Sequence, residues 1–178
     1  MWKVAVEGAR VPAVIPTPIF HNNMVYVTNG YNVGCILVKL TRTGDQINAE
    51  TVYANKNMTN QHGGVVLVNG YNYGFSDGVG WVCQNFDTGE TVWRERSNAG
   101  GKGSVLCVND RLLLLKENGL LTVAAASPDG WKEFGNMTIP ERTAIKTTDN
   151  MVWTHPVVAD GKLFMRDHDL LFCFDLTK

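Results

Sequence analysis

Two histidines, His62 and His155, each stand just ahead of a short apolar run, VVLV at 65–68 and PVVA at 156–159. With Asn60, Gln61, Lys102 and Trp153 they form a set of polar and aromatic side chains suited to holding a ligand by hydrogen bonds and stacking. A neutral imidazole also ligates metals, but a metal needs three or four converging donors, which spacing alone does not assemble. The other reading is that the histidines bond to neighbouring loops and seal the turns. Arg166-Asp167-His168-Asp169 is a second cluster. The guanidinium of Arg166 could grip an anion with both arms of its fork, with Asp167 beside it. As a plain solvated hairpin, the same cluster would hold local ion pairs worth less than about 1 kcal/mol each.

Other chemistries find no support in the pattern. Cys35, Cys83, Cys107 and Cys173 are never within four residues of one another, so no CxxC zinc, redox or haem motif is present. Each lies in an apolar stretch, which predicts small buried thiols, with disulfides as the alternative. The run Gly100-Gly101-Lys102-Gly103-Ser104 lacks the phosphate-loop pattern and leads into a strand instead of a helix. No nucleophile elbow occurs.

The elements that must carry these residues are strands. The chain has 178 residues, 44% hydrophobic and 19% charged, with 16 Lys and Arg against 17 Asp and Glu. A net charge of −1 without a basic block argues against nucleic acid as a partner. No apolar run approaches the roughly 18 residues that span a bilayer. Met1 to Arg10 mixes Lys3, Glu7 and Arg10 with single apolar residues, unlike a signal peptide. Aromatic and β-branched content excludes disorder.

Four segments share one pattern of strand, tight turn and strand: PIFHNNMVYVTN (18–29), VVLVNGYNYGFS (65–76), VLCVNDRLLLLK (105–116) and PVVADGKLFMRD (156–167). Their turns fall at Asn22-Asn23, Asn69-Gly70, Asn109-Asp110 and Asp160-Gly161, a period of roughly 40–50 residues. A second hairpin follows in the first three units, with turns at Thr43-Gly44, Thr88-Gly89 and Asp129-Gly130. Four-stranded antiparallel units at this period predict an all-β fold, a β-propeller. The expected blades run over about 16–55, 62–97 and 101–140, with an incomplete one at 153–178 and a spare outer strand at 1–7. About three and three-quarter blades are therefore present. Either the chain is the C-terminal half of a longer propeller, the favoured account, or the spare strand completes the last blade within the chain or in a homodimer.

The stretch from Cys83 to Trp93, CQNFDTGETVW, resembles the Ala-x-Asp-x-x-Thr-Gly-x-x-x-Trp signature of pyrroloquinoline-quinone-type (PQQ-like) propeller repeats. Thr88, Gly89 and Trp93 match, whereas Cys83 replaces the Ala and Asn85 the Asp. The ending LFCFD keeps that Asp as Asp175, and Leu40 and Ala126 occupy its place in the first and third units. NMTNQHGGVVLV and HPVVADGKLFMRDHDLLFCFD are similar to the C-terminal part of uncharacterised, exported bacterial members. The resemblance implies a periplasmic or extracellular location, a natural terminus at Lys178 and a truncated start at Met1. Trp93 is expected to pack between blades, and Thr88 and Gly89 to shape the turn before the outer strand.

Enzymes of this family hold PQQ with calcium at one end of the propeller axis, an Asp as base and a Trp under the ring; many add a vicinal disulfide. This sequence has no adjacent cysteines, and no acidic residue matches the calcium ligands one by one. Fold does not confer activity. The first expectation is thus a non-catalytic propeller binding a protein or small ligand on the face that carries the linkers between blades and the second-to-third-strand loops. That face would display Asn60, Gln61, His62, Lys102, Trp153, His155, Arg166 and Asp167. The alternative is part of a PQQ- and calcium-dependent alcohol or sugar dehydrogenase.

Overall fold

The computed structural model describes residues 1–5, 13–96, 101–147 and 149–177. Among them are fifteen strands in four antiparallel sheets. The first sheet is β1 (Ile19–His21), β2 (Met24–Asn29), β3 (Gly34–Thr43) and β4 (Gln46–Asn55). The second is β5 (Val65–Val68), β6 (Tyr71–Ser76), β7 (Gly80–Asn85) and β8 (Thr91–Glu95). The third is β9 (Gly103–Val108), β10 (Arg111–Lys116), β11 (Leu120–Ala125) and β12 (Glu133–Thr138). The fourth has three strands, β13 (Val157–Ala159), β14 (Lys162–Asp167) and β15 (Leu170–Asp175). No helix among the described residues is long and apolar enough to cross a membrane.

Each sheet is a meander whose strands pair in chain order. The first turns are where the sequence placed them. Asn22 and Asn23 have φ of 48° and 58°, and Asp160 has 49° ahead of Gly161 at 70°. Two positive φ values in a row suit the two-residue hairpin that matches strand twist, and Asn, Asp and Gly are the residues that accept it. A β-bulge recurs between Leu37 and Val38, Cys83 and Gln84, and Val123 and Ala124. Each follows the fourth residue of the blade's third strand, so the outer strand is swung by the same device in three successive blades.

The core lies between sheets. Tyr26, Cys35 and Leu37 of the first blade meet Met58, Val82 and Phe86. Tyr73, Phe75, Trp81 and Cys83 of the second meet Val105, Leu112, Leu114 and Ala124 of the third. Leu113, Leu115 and Leu121 of the third meet Leu163 and Met165 of the fourth. The run Leu112 to Leu115 is apolar throughout because β10 is covered on both faces: alternate leucines serve opposite interfaces.

Trp93 lies at the second of these interfaces. Its ring sits 5.8 Å from Trp131, edge to face, and 6.0 Å from Tyr73, and its Nε1–H donates to the Ser127 carbonyl at 2.8 Å. Trp93→Phe keeps most of the packing and removes that bond. It is expected to lower stability by about 1 kcal/mol, seen as a lower urea midpoint at unchanged slope.

Two expectations change. Met1 to Ala5 carries no strand, and residues 6 and 7 of the expected outer strand lie outside the described residues. All four cysteines are free thiols, but only Cys35 and Cys83 are buried. Burial pushes the Cys83 thiol up to about 11. Cys173 is exposed, because β15 turns Phe172 and Phe174 toward the third blade and its alternate residues outward.

Candidate functional site

The linkers between blades bring together most of the residues singled out in the sequence. Lys102, in the linker from the second blade to the third, donates from Nζ to Gln61 Oε1 at 2.5 Å and lies 3.3 Å from Asp77 Oδ1. Its backbone N–H donates to Glu117 Oε2 at 3.1 Å. The other carboxylate oxygen of Glu117 accepts the Nε1–H of Trp153 at 2.8 Å. One carboxylate on the β10–β11 turn therefore ties two successive linkers together. The Trp153 ring lies against His62, with centroids 5.2 Å apart and planes tilted by 41°, yet it remains 49% exposed. His155 Nε2 contacts the His62 carbonyl at 2.9 Å. A carbonyl can only accept, so the His155 proton sits on Nε2.

His62 and His155 thus meet, although they are 93 residues apart in sequence. Burial lowers the His62 pKa from its ordinary value; Glu117 and Asp77 pull it up, Lys102 and His155 push it down, and the lowering prevails. A base with a depressed folded pKa binds protons more readily in the unfolded chain, so its stabilising contribution is present above the unfolded value near 6.5 and fades as the pH drops below it. Acidification from about pH 7.5 to about pH 5 should then lower the melting temperature more in the wild type than in His62→Phe.

Arg166 and Asp167 separate in the structure. Arg166 is exposed; its Nε donates to the His168 carbonyl at 2.6 Å, and its own carbonyl accepts from Thr154 Oγ1. Asp167 is fully buried and offers no surface contact. Its Oδ2 accepts from Arg142 Nε at 2.7 Å and from the Thr143 amide at 3.1 Å, and its Oδ1 faces His168 Nδ1 at 2.8 Å. Burial pushes this carboxyl up, but the bonds from His168, Arg142 and Thr143 outweigh it and hold it below the ordinary carboxylate value. Asn60 is also buried, with Nδ2 on the Phe75 carbonyl at 2.9 Å and its amide on Thr28 Oγ1 at 3.3 Å. It joins the first two blades and does not reach the surface.

The signature residues frame the opposite turns. Asn85 Oδ1 accepts the amides of Asp87 and Thr88 at 3.0 and 2.9 Å, so an amide oxygen does here what a carboxylate could do. Thr88 Oγ1 accepts the Glu90 amide at 3.2 Å. The Gly89 carbonyl accepts from Asn55 Nδ2, Asn57 Nδ2 and Gln84 Nε2 at 3.1, 2.8 and 2.9 Å. Asp175 Oδ1 accepts the Thr177 amide at 2.9 Å and its hydroxyl at 2.6 Å, which repeats the Asn85 turn.

Two further residues matter that the motifs did not flag. Arg142 reaches the Asn118 and Asn150 carbonyls at 3.1 and 2.7 Å as well as Asp167. Gln84, fully buried, accepts the Tyr26 hydroxyl at 2.9 Å. Among the described residues no three His, Cys, Asp or Glu side chains are grouped to hold a metal ion.

The backbone closely follows that of a solved structure, BamB from Moraxella catarrhalis, a β-propeller protein, with a TM-score of 0.62 at 13% identity. The fold is a β-propeller. The match covers 90% of this chain and 42% of BamB, so the chain spans less than half of that protein's length. No family model matches the chain, and no curated protein matches it in sequence.

Proposed function

We propose that this propeller is a non-catalytic binding scaffold whose recognition surface is the face carrying Gln61, His62, Lys102, Trp153 and His155. One observation carries the reading: Trp153 is half exposed, yet it is pinned by its bond to Glu117 and by a tilted ring contact with His62. Immobilised aromatic side chains at a surface bind with little further entropy loss, and Trp is enriched where partners anchor. Lys102, Asp77 and Glu117 around it supply charges of both signs, which favours an orienting polar rim over a purely electrostatic site. The partner class is a protein, and the location outside the cytoplasm follows the PQQ-type resemblance.

The test is site-specific photo-crosslinking in cells. A benzophenone amino acid at position 153 should give one discrete protein adduct, while the same group at Asp45, in the turn between β3 and β4, should give none. Equal adducts at both positions, or none at 153, would sink the reading. Titration with PQQ, with and without calcium, addresses the dehydrogenase alternative directly: saturable, calcium-dependent binding would overturn the non-catalytic assignment.

A further inference from the structure

Tyr26, Cys35 and Leu37 face the second blade, so Val27, Asn29 and Ile36, which alternate with them, face away from it. On that side the first blade borders a cavity of about 480 Å3, a size usual for small-ligand sites. Val27, Val33, Ile36 and Ala54 give it aliphatic walls, joined by Ala5 and Val14 from the segment before the blade. Thr51 stands exposed at its margin. Thr28, Cys35 and Asn55 also line it, but their polar atoms are used within the fold. Thr28 Oγ1 donates to the Met58 carbonyl at 2.8 Å, Cys35 Sγ to Asn55 Oδ1 at 3.2 Å, and Asn55 Nδ2 to the Gly89 carbonyl at 3.1 Å. Asn29 differs. It is only 6% exposed, and its side-chain amide makes no hydrogen bond among the described residues. Neither amide atom is sealed off from solvent, so the amide opens into the cavity that Asn29 lines. Native proteins seldom leave a buried polar group unpaired.

The repeat shows what such a position receives. Asn29 ends β2 as Ser76 ends β6 and Asp167 ends β14. In those blades the side-chain oxygen accepts a backbone amide from the preceding linker, Thr59 on Ser76 at 2.9 Å and Thr143 on Asp167 at 3.1 Å. Asn29 takes no such bond among the described residues. Lys56, just past β4, lines the same cavity; it is exposed, and its ammonium has neither ion pair nor hydrogen bond among the described residues. Gly34 pairs with Asn29, and a Cβ added to it would lie 3.0 Å from Lys56 Cα. Asn29 and Lys56 therefore stand about 10 Å apart, two strand spacings, within joint reach of one small molecule.

We infer that the cavity binds an N-acyl aliphatic amino acid, the chemistry of a peptide C-terminus. Its N–H goes to Asn29 Oδ1, as the linker amides go to Ser76 and Asp167. Its carboxylate goes to the Lys56 ammonium, and its side chain lies among Val27, Val33 and Ile36. A carboxylate held at the exposed lysine keeps part of its hydration and gains a charge-assisted bond, whereas the aliphatic chain leaves water. The site adjoins the surface proposed above: Gln61 packs so closely on Gly30 that a Cβ added there would lie 3.0 Å from Gln61 Cγ. The inference rests on the binding-scaffold reading, but it is read at Asn29 and Lys56 and not at Trp153. Two sources offer this chemistry, the C-terminus of a docked protein and a free acylated amino acid.

The experiment is NMR of the full chain with amide-labelled asparagine, titrated with N-acetyl-leucine and with its C-terminal amide. Saturable shifts of the Asn29 side-chain signals are expected, with the acid binding about tenfold tighter than the amide because only it pairs with Lys56. 4-Methylpentanoate keeps the carboxylate and the branched chain but has no N–H, and should bind about fivefold more weakly than N-acetyl-leucine. Lys56→Met, at an exposed position, should bring acid and amide to parity. If that variant does not fold, the ratios on the wild type still decide. No saturable shift at Asn29, equal affinity for acid and amide in the wild type, 4-methylpentanoate binding as tightly as N-acetyl-leucine, or an acid preference that survives Lys56→Met overturns the inference. N-acetyl-Gly-Gly-Gly-Leu separates the sources: binding like N-acetyl-leucine assigns a partner's C-terminus, and exclusion assigns a free acylated amino acid. Binding at Asn29 without a photo-adduct at position 153 would remove the recognition surface at Trp153 and leave this site standing, and the converse result would do the opposite.

Discussion

Gly89→Ala is expected to lower stability by about 3–5 kcal/mol, enough to unfold a large share of a marginally stable chain. Three costs coincide at this residue. Its φ of +72° disfavours any side chain, a penalty of about 1–2 kcal/mol. An added Cβ would sit 2.6 Å from Tyr53 Cε2 and 2.6 Å from Asn55 Nδ2, and overpacking of this kind costs about 1–3 kcal/mol. Tyr53 has little freedom to retreat, because its hydroxyl donates to the Phe86 carbonyl at 2.9 Å. Any shift of the turn also strains the three amide bonds converging on the Gly89 carbonyl, which couple the first blade to the second. Gly44→Ala is the matched control. It occupies the corresponding turn of the first blade with φ of +61° and open space around it, so only the conformational cost applies, about 1–2 kcal/mol. Urea unfolding of both variants separates the contributions. Equal losses would mean that the Gly89 turn couples nothing across the interface.

That comparison also marks what the sequence could disclose. Thr43-Gly44 and Thr88-Gly89 were legible as equivalent turns because a positive φ constrains residue type locally, as it does at Asn22-Asn23 and Asp160-Gly161. The apolar run in β10 was legible as a strand, whereas its burial on both faces required the neighbouring blades. The bulges at Leu37, Cys83 and Val123 left no mark in residue type, since a bulge is set by pairing and not by one side chain. At the loop face, the equivalent positions of His62 and His155 followed from the repeat, but their mutual contact did not. Asn60 and Asp167 show the limit most plainly. Both are polar residues in loop-like sequence, and both are buried, bonded to partners distant in the chain: Asn60 Nδ2 to the Phe75 carbonyl and Asp167 to Arg142. Nothing around Arg142 announces a partner 25 residues away.

Asp167→Ala should cost about 2–3 kcal/mol and loosen the linker that presents Trp153. Removing one member of a buried ion pair typically costs about 3–5 kcal/mol, but the Arg142 side chain is 32% exposed and can recover part of its hydration. The loss reaches beyond the pair, since the Arg142 guanidinium also holds the Asn118 and Asn150 carbonyls. Freed from Asp167, it no longer fixes the segment from 142 to 150, which continues into Met151, Val152 and Trp153. Faster amide exchange across 142–152 and lower fluorescence anisotropy at Trp153 are the expected signs. Asp167→Asn isolates the charge. The carboxyl sits below its ordinary value in the folded protein, so its stabilisation is present above the unfolded carboxylate pKa near 3.9 and is lost as the pH falls through the folded value. The stability difference between wild type and Asp167→Asn should therefore be largest at neutral pH and shrink toward zero in acid. A difference that stays constant with pH would place the carboxylate's contribution in its shape and hydrogen bonds alone. Arg142→Ala then completes a double-mutant cycle: a coupling of about 0.5 kcal/mol or more, the lower bound for groups sharing one network, would establish that Asp167 and Arg142 act as one unit in holding the segment that leads to Trp153.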